Sequence, residues 1–176
     1  MATRRANTAM RHGRKVLKLS GYVTYHLTAL ANKLTSGASR LYLERYGIGI
    51  IEWRVLAMLA VEPGVAPARI CQVIGLDKGA VSRETRKLEA KGCVAVHEDP
   101  ASPRRRTLEL TATGLALHDE IVQTALERER RLLKGLSPDE VNTLLVLLER
   151  TAANVADVND FDPPSAGPGT RRKGLR

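Results

Sequence analysis

Between residues 19 and 46 the apolar side chains Leu27, Leu30, Leu34, Ala38 and Leu41 return every three or four positions, which predicts one long helix with an adhesive stripe. Gly37 is its weak point. Gly47 and Gly49 then interrupt, and residues 50–60 (IIEWRVLAMLA) are apolar almost all round, the pattern of a buried helix, closed by Glu62-Pro63-Gly64. Pro67 suits the first turn of a third helix, where its missing N–H is not needed. That helix runs to about residue 74 and stops at Gly75; Asp77 caps a fourth, running to about residue 91 with Gly92 behind it. The period then changes to two. Residues 94–96 and 107–111 alternate around a polar stretch holding Pro100 and Pro103, a hairpin with a long basic tip. Thr113-Gly114 opens a helix to about residue 134, and Ser137-Pro138-Asp139-Glu140 is a capping-box start for a last helix to about residue 154.

The chain has 176 residues, enough for one self-supporting domain with an oligomerisation extension. Aromatic residues make up only 3%, too few rings for a protein that stacks unpaired bases on aromatic platforms. The net charge is +9 and unevenly placed. Six basic and no acidic residues fall in 1–18, and residues 78–106 hold eight basic against four acidic, while the rest of the body between these stretches and residue 157 is slightly acidic. Localised positive surface on a near-neutral body points to a polyanionic partner. Cys71 and Cys93 make neither a disulfide framework nor a zinc spacing, and no metal or other cofactor is expected. No apolar run approaches the length of a membrane span, so a cytoplasmic, nucleoid-associated protein with no membrane partner is expected.

Two short helices joined by a tight turn, the second basic and followed by a hairpin, are the order of a winged helix-turn-helix. Such helices lie so close that the first needs a small residue, the turn a glycine four positions later, and the second an apolar plug six beyond that. Cys71, Gly75 and Val81 meet these demands, with Ile70, Ile74 and Leu76 in support. On the second helix Lys78, Ser82 and Arg86 stand at i, i+4 and i+8 with Arg83 beside them, opposite the plugs Val81 and Leu88. A solvated helix face is the competing reading of this strip, and its place in the turn favours DNA. Lys78, Gly79, Ser82, Arg83, Arg86 and Lys87 are therefore the expected major-groove contacts, with arginine able to grip the O6/N7 edge of guanine. At the hairpin tip Arg104 is the candidate for a minor groove, and Arg105 and Arg106 for phosphates, the alternative being a plain exposed hairpin.

The stretches IGIIEWRVLAMLA, ARICQVIGLDKGAVSRETRKLEAKG and EDPASPRRRTLELTATG resemble the MarR family of bacterial transcriptional regulators. The likeness lies in the Trp-Arg-Val-Leu segment, the Leu-Glu-x-Lys-Gly end of the recognition helix, and a wing leading to Leu-Thr-x-x-Gly. The wing departs from the family pattern: Ser102 stands where the family has Asp and Pro103 where it has the first Arg, while Arg104 keeps the second. The resemblance implies a mainly α fold with a small β-hairpin wing, a winged helix-turn-helix plus a helical dimerisation region. It divides the chain into a basic flexible arm (1–17), an N-terminal dimerisation helix (18–46), the DNA-binding domain (47–112), C-terminal dimerisation helices (113–156) and a disordered tail (157–176).

It further implies a homodimer on a pseudo-palindromic operator, most often a repressor, released when a small aromatic acid or phenolic compound binds. Tyr22, His26, Trp53, Arg54 and Met58 are the candidate effector contacts, each also readable as an ordinary core, interface or ion-pair residue. Family members that sense oxidants carry a cysteine on the first helix, and none lies there; packing roles suit Cys71 and Cys93. The alternative function is a non-specific nucleoid-type DNA-binding protein without effector. No nucleophile with a base, carboxylate pair or phosphate cradle is evident, so no catalytic residue and no enzyme is expected.

Overall fold

The computed structural model of the chain describes residues 6–99 and 102–163, and at 99 and 102–105 the backbone alone. The chain is mainly α-helical with two small antiparallel hairpins and divides into two compact units, Met1–Ala125 and Leu126–Arg176.

The first unit is built around α2 (Ile50–Val61), which packs against α1 (Val23–Tyr46), α3 (Pro67–Ile74) and α4 (Lys78–Ala90). It also meets the second strand of the hairpin formed by β3 (Val94–Asp99) and β4 (Ser102–Leu110). Leu56 and Leu59 of α2, Ile70 of α3, Leu88 of α4, Leu108 of β4 and Ile121 of α5 (Ala112–Leu132) are fully buried in one cluster. Each such side chain contributes about 1.5–3 kcal/mol on leaving water. Of α1 only the C-terminal half joins this core, through Ala38 and Tyr42, while Val23, Leu27, Leu30 and Leu34 stay exposed. Gly37 does not interrupt the helix.

The hairpin is longer than its sequence pattern suggests. Val94 pairs with Leu110 and Glu98 with Arg106, after which the register shifts so that Asp99 pairs with Ser102. The α2–α3 connection adds a single bridge, Val65 to Leu108, through Gly64 N–H to the Leu108 carbonyl at 3.0 Å and Leu108 N–H to the Val65 carbonyl at 3.0 Å. This bridge fixes the base of the wing to the helical core.

Four expectations are corrected. Residues 8–17, read as part of a flexible arm, pair as β1 (Thr8–Arg11) and β2 (Arg14–Leu17). The reason is the turn: His12 and Gly13 both take positive φ (50° and 71°), the backbone of a two-residue hairpin loop, and a local turn needs no apolar period to form. Residues 19–21 form a 3₁₀ turn, so α1 begins at Val23 and not near residue 19. The cap of α5 is Thr111, not Thr113, because its hydroxyl accepts the Gly114 N–H at 3.1 Å. Inside the expected tail, residues 157–160 belong to α7 (Val155–Asp160), since the helix-breaking prolines begin only at Pro163.

In the second unit α6 (Pro138–Ala152) starts at the predicted capping box. Ser137 Oγ accepts the Glu140 N–H at 3.3 Å, and Glu140 Oε2 accepts the Ser137 N–H at 2.8 Å. No residue of α6 is buried, and Leu144, Leu145, Leu147 and Leu148 are all exposed.

Candidate nucleic-acid interface

The turn between α3 and α4 has the geometry that its spacing predicts. Gly75 ends α3 in the left-handed region at φ 68°, and its N–H and that of Leu76 both reach the Cys71 carbonyl, at 3.0 and 3.3 Å. Asp77 then caps α4, its Oδ1 accepting the Ala80 N–H at 2.9 Å. That hydrogen bond, chiefly, holds the Asp77 carboxyl below the ordinary carboxylate range. Val81 plugs the gap between the helices and Cys71 packs at its edge.

On α4, Ala80, Val81, Thr85 and Leu88 face inward, whereas Lys78, Gly79, Arg83, Arg86 and Lys87 are exposed and Ser82 is half-buried beside them. The expected strip therefore exists as one outward face. Gly79 keeps it low: a Cβ there would come within 3.0 Å of Asp77 Oδ1 and 3.4 Å of Arg83 Nη1. Lys87 is partly engaged, since its ammonium pairs with Glu84 at 3.0 Å. On the wing Arg106 pairs with Glu98 at 2.7 Å and His97 with Glu109 at 2.7 Å, so the Arg106 guanidinium is partly engaged. The side chains of Arg104 and Arg105 lie outside the described residues.

The effector candidates do not form one cluster among the described residues. Trp53 stacks on His118 (centroids 5.5 Å apart) and meets Tyr42 edge-on, Arg54 donates to Thr35 Oγ1 at 3.3 Å, and Met58 is buried in the core. Met58 therefore has almost no surface to offer a ligand, a correction that follows from α2 being buried on several sides. His26 lies edge-on to Tyr25, nine residues from Thr35 along α1 and so about 13 Å from it, and Tyr22 precedes the helix.

Sequence reading missed the groups that hold α4 from behind. Glu52, an acid within the apolar run of α2, is buried; its Oε1 accepts Lys91 Nζ at 2.6 Å and its Oε2 the Gly49 N–H at 2.7 Å. The lone acid in IIEWRVLAMLA was the available signal. Cys93 is buried, and burial pushes its thiol above the ordinary value, with nearby Lys91 opposing the shift, which agrees with a packing role.

Residues 46–106 match the family model described as MarR family. The uncharacterized HTH-type transcriptional regulator YkoM of Bacillus subtilis is 31% identical over 126 residues, which cover 72% of this chain and 82% of that protein. A MarR/EmrR family transcriptional regulator from Acinetobacter sp. ADP1 superposes with a TM-score of 0.75 at 32% identity, over 80% of this chain and 99% of its own. The chain belongs to the MarR family. The multiple antibiotic resistance protein MarR of Escherichia coli is 29% identical over 110 residues, covering 62% of this chain and 76% of that protein. The same fold, at 20% and 23% identity, is found in a MepR–DNA complex of S. aureus and in BpsR of Bordetella bronchiseptica, whose DNA binding is regulated by 6-hydroxynicotinic acid. MarR-family membership makes this chain a transcriptional regulator, and its named relatives are regulators and not enzymes. Among the described residues no helix is long and apolar enough to cross a membrane.

Proposed function

We propose that this MarR-family regulator is a homodimeric, cytoplasmic repressor that reads a pseudo-palindromic operator with α4 and is released by a small aromatic or phenolic ligand. The observation that carries the reading is the two-sided character of α4. Val81, Thr85 and Leu88 anchor it while Lys78, Ser82, Arg83 and Arg86 face outward on a helix of the diameter that a major groove admits. Arg83 and Arg86 are assigned to base edges and Lys78, Ser82 and Lys87 to phosphates or shared edges; Arg104 enters the minor groove and Arg105 and Arg106 flank it. Dimerisation is supported by the apolar residues left exposed on the first half of α1 and along α6. In a two-fold dimer the half-sites lie about one helical turn apart.

The effector contacts are assigned to Trp53 and Arg54 on α2, with Tyr22 and His26, which lie apart from them within one chain, as the further candidates. Support comes from the half-buried Trp53 on the helix that carries the DNA-binding core, and from BpsR as a ligand-regulated protein of the same fold. A ligand can release DNA only through its differential affinity for the two states of the dimer.

Arg83→Ala tests the base-reading role. On a duplex selected by the wild-type protein from a random pool it is expected to cost about 1–3 kcal/mol and to relax base preference. Arg104→Ala is expected to weaken mainly A·T-rich flanks. An equal loss for Arg83→Ala on selected and scrambled duplexes would refute base reading and favour the non-specific nucleoid-type alternative.

A further inference from the structure

The recognition helix is held very differently at its two ends. At its N-terminal end it is capped by its own Asp77, exposes Lys78 and Gly79, and is seated on the core by buried Ala80 and Val81. Its exit, Lys91-Gly92-Cys93, is gripped from two sides. On one side Lys91 Nζ donates both to buried Glu52 (2.6 Å) and to the carbonyl of Gly47 (2.8 Å), the left-handed residue that ends α1. Glu52 in turn accepts the Gly49 N–H at the start of α2. On the other side Thr111 donates its hydroxyl to the Gly92 carbonyl (2.6 Å) and its N–H to the Cys93 carbonyl (3.1 Å), while accepting the first-turn N–H of α5 from Gly114. Gly114 lies so close that a Cβ there would come within 1.9 Å of the Cys93 carbonyl oxygen.

We propose that Glu52 and Lys91 are positioning residues that set operator discrimination, by fixing the angle at which α4 leaves the joint between α1 and α5. The inference rests on the DNA-reading role of α4 and adds that its aim is decided behind it, away from the bases. The lever makes small errors matter. Arg83 lies eight residues from Lys91, about 12 Å along the axis, so a tilt of about 10° at the exit displaces it by about 2 Å. That is enough to break a bidentate contact whose donor–acceptor distances span only a few tenths of an ångström. The pair has one buried partner, so it adds little net stability, but removing Lys91 leaves the buried Glu52 carboxylate uncompensated. Because α1 and α5 both meet at this exit, any change in their relative placement reaches α4 through it.

Glu52 is the discriminating position, because it is buried and cannot touch DNA, whereas exposed Lys91 could bind a phosphate directly. The test uses the full chain, a duplex selected by the wild-type protein from a random pool, and a scrambled duplex of equal length, over a salt series well below the unfolding temperature. Glu52→Gln is expected to lower the ratio of selected to scrambled affinity by about tenfold, with scrambled affinity within about twofold of wild type and its salt slope unchanged. Lys91→Met is expected to give the same loss of ratio, and the double variant no more than either single one. An unchanged ratio in Glu52→Gln, with only a lower unfolding temperature, overturns the proposal. So does a Lys91→Met effect that is equal on both duplexes with the salt slope reduced by about one, the mark of a simple phosphate contact. If Glu52→Gln does not fold, Glu52→Asp, which keeps the charge but withdraws it by one methylene, is judged by the same ratio. A wild-type protein that selects no sequence overturns the DNA reading itself, whereas selection with unaltered ratios overturns the joint alone.

Discussion

Thr85 faces the core from the recognition helix, 7% exposed, and its hydroxyl has no hydrogen-bond partner among the described residues. An unsatisfied buried hydroxyl costs more than the methyl that would replace it, so Thr85→Val should raise stability by about 1 kcal/mol. Chemical denaturation reads this directly, and a fall in the midpoint would mean that the hydroxyl is satisfied after all. Because Thr85 lies on the inward side of α4, the same variant should leave affinity for the selected duplex unchanged. Gly114 shows the opposite constraint: with the Cys93 carbonyl against its Cα, no side chain fits.

Among the elements, α4 depends on its first turn. The Asp77 cap holds its carboxyl below the ordinary value, so the folded state prefers the ionised form. The contribution is complete above the unfolded carboxylate pKa and disappears as pH falls through the lowered folded value. Asp77→Asn keeps a capping oxygen but removes the titration. Its urea-unfolding stability should therefore decline less steeply than wild type as pH falls below about 4; parallel declines would exclude the cap as a cause of acid sensitivity. The two hairpins differ for a similarly local reason. The wing is anchored by the Val65–Leu108 bridge and by buried Val94 and Leu108, whereas β1–β2 is set by its His12-Gly13 turn and buries no residue. Arg11 and Arg14 stand opposite each other at its tip, a like-charge pair that an anion would relieve.

At the scale of the whole molecule, the exposed apolar residues outnumber what scattered surface leucines would explain. The first half of α1 leaves Val23, Leu27, Leu30 and Leu34 exposed, and α6 leaves Leu144, Leu145, Leu147 and Leu148. Apolar residues exposed along each of these helices support the interface with a second copy of the chain proposed above. Leu144→Glu places a charge there without touching the first unit's core. Sedimentation at micromolar concentration should show a shift from dimer to monomer, with at least a tenfold loss on a two-half-site duplex and little change on a single half-site. A variant that stays dimeric would remove α6 from the interface.

The order of helices, the tight turn at Gly75, the caps at Asp77 and Ser137, and the outward strip on α4 were legible in the chain, because each is fixed by residues within one or two turns of one another. The His12-Gly13 hairpin is equally local but was missed, since it shows no apolar alternation. What linear order did not disclose are the meetings of distant segments. Lys91 reaches Glu52 across 39 positions and Thr111 reaches Gly92 across 19, and Val65 bridges to Leu108. Local rules made α4 a helix able to face DNA. The direction in which it faces is settled by partners that only packing brings together, because the period of a helix records which side is apolar and carries no information about which distant carboxylate or carbonyl will lie against its end.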